Sequence, residues 1–143
     1  METRDLPDVL AIENISFPNP WHETTFRGEI QNNDLSYPLV VIHRNLDKVI
    51  GYIVYWKIRE EVQINNIAVH PDFKSMGIGE AILGDVIEEA RAESVHYISL
   101  EVRPSNTAAR GLYAKLGFEL IGIRRNYYSN PDEDAIVLGM SLS

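Results

Sequence analysis

One stretch, residues 67–83, constrains the fold of this chain more than any other. It opens with branched apolar residues that favour a strand, and Pro71 ends that strand because proline cannot donate a hydrogen bond to a central sheet ladder. Two glycines, Gly77 and Gly79, then precede an amphipathic run. The stretch therefore predicts a buried strand, a short turn and the glycine-rich start of a helix.

The start of that helix is suited to binding an anion. Unpaired backbone N–H groups and the positive end of the helix dipole meet there, and a pyrophosphate is their natural ligand. Glycine also lets another group approach the backbone closely. A tight turn whose glycines serve packing explains the same residues as well. The spacing alone leaves both interpretations open.

Composition limits the class of protein and the chemistry. The chain has 143 residues, 45% of them hydrophobic and 24% charged, which predicts one globular domain over residues 1–143. It has no cysteine, which excludes disulfides, thiolate metal ligands and cysteine nucleophiles. Its four histidines lack metal-ligand spacing, so we expect no metal site.

Charge and hydropathy restrict the partners. No apolar run approaches the roughly 18 residues of a membrane span, and the first residues do not resemble a signal peptide. We therefore expect a cytoplasmic protein that does not enter a membrane. The formal net charge of −8 argues against general nucleic-acid binding.

Helical and strand patterns fill the rest of the chain. Helices are predicted from Pro7, behind an Asp5 cap, over residues 22–31 and 77–93, and from a Ser105 or Asn106 cap to Gly117. The predicted apolar stripes include Ile15, Ala81 and Ala108. Predicted strands cover residues 38–43, 49–56, 61–69, 96–103, 118–125 and 135–142.

These elements predict a mixed α+β sheet with helices on both faces. The first two strands should form a hairpin. The strand–helix–strand unit at residues 62–103 should be parallel, with a right-handed crossover.

Three polar residues have both a structural and a functional interpretation. Glu101 interrupts a predicted central strand near its carboxyl end, where ligands bind in open α/β sheets. It is an ion-pair partner of Arg103, a residue on a face that remains exposed, or a general base. Tyr113 is either a tyrosine at the edge of the core or a proton donor to a leaving group. Asn106 is most simply a helix cap, and its amide can also bind a ligand.

Four runs, residues 66–71, 74–79, 100–106 and 112–118, resemble the motifs of the acetyl-CoA-dependent GNAT N-acyltransferases in order and spacing. Two further regions are similar to the ribosomal-protein alanine N-acetyltransferases of RimI type. One is residues 17–21 near the start, and the other combines residues 124–128 with residues 133–135 near the end. The resemblance spans nearly the whole chain.

The resemblance implies a central sheet splayed between two parallel strands, with acetyl-CoA in the splay. The positions it assigns to acetyl-CoA are Ile67, Ala68, Val69, Lys74, Ser75, Met76, Gly77, Ile78, Gly79, Glu80 and Asn106. Lys74 departs from the family's usual Gln or Arg, and because lysine lacks their bidentate geometry we expect modestly altered cofactor contacts. The amino terminus is short, so the family's first strand should be truncated or poorly paired.

The resemblance also implies direct acetyl transfer, with Glu101 as general base and Tyr113 as general acid. It places Trp21, Tyr127 and Tyr128 around the acceptor, which is a protein or peptide N-terminus. The similarity to the RimI type implies that this N-terminus belongs to a ribosomal protein.

We expect a monomer. The acidic residues 132–134 either hold a basic peptide or belong to a packed loop, which is the favoured interpretation. A small-molecule amine acetyltransferase and a non-catalytic acetyl-CoA-binding module are the alternative functions.

Overall fold

The computed structural model describes residues 1–32 and 34–142. Its helices are α1 (Leu6–Ser16), α2 (Glu23–Gln31), α3 (Ile78–Ala92) and α4 (Thr107–Leu116), with short 3-10 helices at Thr3–Asp5 and Pro71–Phe73. Its strands are β1 (Ser36–His43), β2 (Lys48–Ile58), β3 (Glu61–Val69), β4 (Tyr97–Val102), β5 (Glu119–Tyr128) and β6 (Glu133–Ser141). The predicted order of elements is confirmed, and in the described residues β1, which follows α2, is the first strand.

The strands form one six-stranded mixed sheet in the order β1-β2-β3-β4-β6-β5. β1 and β2 form the predicted antiparallel hairpin, and β3 and β4 form the predicted parallel pair. β6 pairs antiparallel with both β4 and β5, and therefore lies between them. The predicted mixed α+β sheet is thus confirmed.

Helices cover both faces of the sheet, as predicted. α1 and α2 bury Leu6, Val9 and Phe26 against one face. The apolar stripe of α3 packs on the other face together with Tyr113 of α4. Of the helices described, none is both long enough and apolar enough to cross a bilayer.

Several local predictions were wrong at the helix ends and edges. Asp5 precedes α1, but its carboxylate accepts a hydrogen bond from the Glu2 amide at 2.7 Å instead of capping α1. Ile15 is 65% exposed because Glu13, one turn after Val9, takes the place on the buried face. Ala81 and Ala108 lie in the first turns of their helices and are also exposed. Gly117 ends α4 in the left-handed conformation, as predicted.

Candidate active site

The site begins where β3 and β4 stop pairing. Their parallel register joins residues 61–64 to residues 97–100, and no further pair follows. β3 nevertheless continues to Val69 and β4 to Val102. The two strands therefore diverge at their carboxyl ends, which is the splay that the family resemblance implies.

A β-bulge at Asn65 accounts for the divergence. Tyr55 of β2 lies opposite Ile64 and Val54 lies opposite Asn66, so Asn65 is an extra residue in β3. A bulge bends and twists its strand, and this one follows directly after the last pair with β4. Within residues 1–32 and 34–142, the β4-facing backbone edge of residues 65–69 therefore has no strand partner, and it can hydrogen-bond an extended ligand.

The turn before α3 is shaped for an anion. Ser75 and Gly77 both adopt left-handed backbone conformations, with φ of 66° and 78°. No side chain caps α3, and its first helical bond runs from the Ala81 amide to the Gly77 carbonyl at 3.0 Å. The amides of residues 78–80 consequently point out of the helix end, and such concave groups of N–H bind phosphates.

The two glycines of this turn, Gly77 and Gly79, have different structural roles. A Cβ at Gly77 would meet no atom within 4 Å, so this residue is required for its positive φ and leaves the approach open. A Cβ at Gly79 would lie 3.3 Å from the Leu112 Cδ2 atom. Gly79 therefore allows α3 to pack on α4. The packing interpretation holds for Gly79, and the anion-site interpretation of Gly77 stays a prediction.

The side chains around the turn leave the amides accessible. Lys74 and Met76 are exposed. The Glu80 carboxylate forms an ion pair with Lys115 of α4 at 3.0 Å. Asn106 caps α4, since its Oδ1 accepts a hydrogen bond from the Ala109 amide at 3.3 Å. The prediction that Asn106 caps α4 is confirmed, and the Nδ2 group of Asn106 takes no part in this capping bond.

Glu101 lies at the end of β4 with only 17% of its side chain exposed. Its Oε1 atom lies 2.9 Å from the Arg124 Nε atom. A hydrogen bond to Glu101 is also the main cause that raises the pKa of the Tyr127 phenol. The expected ion pair with Arg103 is wrong: Arg103 pairs with Glu133 at 3.3 Å instead.

Tyr113 is buried and Tyr128 half-buried; the two lie close together, and Tyr128 also lies close to Glu101. Tyr113 is 5% exposed, and burial, aided by the neighbouring Tyr128, raises its pKa to about 12. Burial and then the charge of Glu101 raise the pKa of Tyr128 to about 12. The structure thus brings a carboxylate and two phenols that stay neutral near pH 7 to the end of β4.

Two loops meet beside this cluster. The Ser129 carbonyl accepts hydrogen bonds from the Asn19 Nδ2 atom at 2.8 Å and from the Arg103 Nη2 atom at 2.9 Å. The Arg103 guanidinium also lies 4.4 Å from the centre of the Tyr128 ring. The loop between α1 and α2 is therefore joined to the loop between β5 and β6.

Two of the three acidic residues 132–134 form hydrogen bonds within the protein, which supports the favoured interpretation. Glu133 accepts hydrogen bonds from the Ser105 hydroxyl at 2.7 Å and the Ser105 amide at 3.1 Å, and the hydroxyl bond is the main cause that lowers the pKa of Glu133. Asp134 accepts from the Asn126 amide at 2.8 Å. These two carboxylates are engaged internally, while Asp132 is exposed.

Sequence reasoning missed Glu13, which is 1% exposed. Its Oε1 atom accepts hydrogen bonds from the Tyr52 hydroxyl at 2.5 Å and from the Asn66 Nδ2 atom at 2.8 Å. Its Oε2 atom accepts one from the Trp21 amide at 2.9 Å. The centres of the Trp21 and Phe26 rings lie 5.2 Å apart. The available signal was a lone carboxylate one turn after Val9 on the apolar stripe of α1.

Residues 6–118 match the acetyltransferase (GNAT) family. The [ribosomal protein bS18]-alanine N-acetyltransferase of Escherichia coli K12 is 37% identical over 145 residues, which cover 100% of this chain and 95% of that protein. The Haemophilus influenzae enzyme of the same name is 31% identical, over 99% of this chain and 96% of that protein. The crystal structure of the ribosomal-protein-S18-alanine N-acetyltransferase from Escherichia coli superposes with a TM-score of 0.89 at 35% identity, over 100% of this chain and 91% of that chain.

Proposed function

Since this chain belongs to the GNAT acetyltransferase family and is an N-acetyltransferase, we propose that it acetylates the α-amine of an N-terminal alanine on a ribosomal protein. One observation carries this proposal: relatives at 31% and 37% identity over nearly their whole length are bS18-alanine N-acetyltransferases. The proposed acceptor is made in the cytoplasm, where we expect the enzyme to act.

The geometry of the site fits acetyl-CoA, the acetyl donor that GNAT membership implies. The left-handed turn at Ser75 and Gly77 suits its pyrophosphate, and the unpaired edge of β3 suits its extended arm with two amides. A buried amide donor, Nδ2 of Asn65, also has no hydrogen-bond partner among residues 1–32 and 34–142. We assign residues 67–69 and 74–80 and the free amide of Asn106 to this binding.

Acetyl-CoA supplies an acyl group activated as a thioester. Glu101 accepts a proton from the α-ammonium group, so that the free amine attacks the thioester carbonyl. A backbone amide near Val69 stabilises the oxyanion. As the carbon–sulfur bond breaks, Tyr113 donates its proton to the leaving thiolate. The second proton, which the nitrogen loses as the amide forms, returns to the Tyr113 phenolate through solvent, and Glu101 releases the first proton to solvent. The products are the N-acetylated chain and CoA thiol, and no acyl-enzyme forms.

Arg124 holds Glu101 in the absence of substrate. Its side chain is 59% exposed, so the ion pair with Glu101 is partly hydrated and costs little to open. The incoming ammonium group takes the place of this guanidinium next to the carboxylate. Trp21, Tyr127 and Tyr128 then form the aromatic surroundings of the acceptor.

The function is tested by measuring CoA release with a panel of amines. We expect turnover with a peptide that begins with alanine, slower turnover when another residue replaces that alanine, and none with an acetylated N-terminus. Polyamines and aminoglycosides serve as small-molecule acceptors. Preferred turnover of these amines would favour the small-molecule alternative. Tight acetyl-CoA binding without turnover of any amine would favour the non-catalytic module.

Replacing Gly77 by Ala should weaken acetyl-CoA binding by up to about thirtyfold. An L-residue at a φ of 78° costs about 1–2 kcal/mol, so the free loop relaxes and binding must restore the left-handed turn. Gly84→Ala is the matched control, because Gly84 lies within α3 and its Cβ also meets open space. Calorimetric titration with acetyl-CoA measures both. Equal affinities of the two variants would contradict the assigned cradle.

A further inference from the structure

Glu13 takes no part in the proposed proton transfers, yet it joins two parts of the proposed site. We propose that Glu13 is a positioning residue that holds the acceptor loop, residues 17–22, at a fixed distance from β3. The inference rests on the proposed function only in assigning that loop to the acceptor. The hydrogen bonds themselves are features of the fold.

The surroundings of Glu13 supply three hydrogen-bond donors, and one of them requires an acceptor at residue 13. All three partners, the Tyr52 hydroxyl, the Asn66 amide and the Trp21 backbone, present donors to the carboxylate. Trp21 is the partner that cannot adapt, because a backbone N–H has no acceptor to offer in exchange. Without an acceptor at residue 13, the start of α2 loses its buried link to α1.

Packing alone does not explain a carboxylate here. The same core contains Leu6, Val9, Ile12 and Phe26, all 1% exposed or less. A buried carboxylate is costly to desolvate, and an apolar residue of similar volume fills such a place at lower cost. The charge is therefore retained for the geometry that its three hydrogen bonds impose.

The hydrogen bonds of Glu13 connect the part of the site assigned to acetyl-CoA with the part assigned to the acceptor. Asn66 is the neighbour of the bulged Asn65, where β3 leaves β4 and the acetyl-CoA splay begins. Trp21 lies in the acceptor loop, whose Asn19 Nδ2 atom also donates a hydrogen bond to the Ser129 carbonyl, in the loop between β5 and β6, at 2.8 Å. Glu13 thus fixes the inner end of this loop relative to β3, and the Asn19 bond fixes its outer end.

Glu13→Met tests the link, because it keeps the bulk and removes the acceptor. We expect the KM for the alanine peptide to rise at least tenfold while the KM for acetyl-CoA stays within twofold, since among the described residues the hydrogen bonds of Glu13 go to the Tyr52 and Asn66 side chains and to the Trp21 amide, and none goes to the backbone of residues 67–69 or 74–80. In Glu13→Gln the carbonyl oxygen can accept from the Trp21 amide, while the amide group donates to oxygens of Tyr52 and of a rotated Asn66. This conservative variant should restore the peptide KM to within threefold.

Tyr52→Phe is the matched control for lost stability. It removes one donor from the same carboxylate and leaves the Trp21 bond in place, so both KM values should stay within twofold even as Tm falls. A peptide KM that rises equally in Glu13→Met and Tyr52→Phe would overturn the proposal. So would an equal rise of both KM values in Glu13→Met.

Hydrogen exchange of the wild-type Trp21 amide provides a test without variants or turnover. We expect this amide to exchange much more slowly than the amides of its exposed neighbours His22 and Asn19. Exchange as fast as theirs would overturn the link. If the amide is protected but no peptide is acetylated, the proposed acceptor fails and the link to the loop stands.

Discussion

Glu101→Gln should lower kcat for the alanine peptide by about 10²–10⁴-fold, the usual contribution of a general base. Glutamine has nearly the same shape, and its carbonyl can still accept hydrogen bonds from Arg124 and Tyr127. It cannot take a proton from the ammonium group. The loss should therefore appear in kcat, and the Kd for acetyl-CoA should not change, because the cradle at residues 74–80 contains no part of Glu101.

The pH profile separates this role from a purely structural one. The α-ammonium group titrates near pH 8, so the fraction of free amine increases as the pH rises, and a base becomes less necessary. The deficit of Glu101→Gln should shrink between pH 7 and pH 9. Glu133→Gln is the matched control, because Glu133 is also a carboxylate that forms an ion pair with an arginine, Arg103, at this end of the strands. Its effect on kcat should be at least tenfold smaller.

Full activity of Glu101→Gln at pH 7 would contradict the assignment. The carboxylate would then serve only to hold Arg124 and Tyr127, and proton removal would have to be assigned to bulk water. A deficit that is constant across the pH range would indicate misplacement of the acceptor instead of a missing base.

The elements and layers of the fold could be predicted because they depend on local patterns. The sequence of β4 alternates apolar and polar residues, and this alternation matches the burial of Ile98, Leu100 and Val102 on the face opposite to Glu101. The glycine at residue 117 correctly indicated the end of α4. Each of these signals lies within one element and needs no knowledge of what packs against it.

The contacts of Glu101 could not be predicted because they depend on strand order. β6 lies between β4 and β5, so Arg124 of β5 reaches across one strand to Glu101, whereas the nearby Arg103 turns to Glu133. Similarly, the bulge at Asn65 shifts the alternation of β3, which places Asn66 on the face of α1 and within reach of Glu13. No spacing in the sequence reports such a change of register.

Tyr113→Phe should lower kcat by about 10²-fold, at the lower end of the range for a general acid, because a thiolate is already a moderate leaving group. Burial raises the pKa of Tyr113 to about 12, so the phenol carries its proton throughout the assay range. The deficit of this variant should therefore be constant from pH 7 to pH 9, where that of Glu101→Gln shrinks. Parallel pH profiles of the two variants measure this difference.

Tyr55→Phe is the matched control for the loss of a buried phenol. Burial also raises the pKa of Tyr55 to about 12, and the residue belongs to the same core as Tyr113 but stacks on Tyr37, on strands β2 and β1 away from the end of β4. Its kcat should stay within twofold of the wild type. If Tyr113→Phe behaved in the same way, the departing thiolate would take its proton from water, and Tyr113 would serve only to close the core against Phe118.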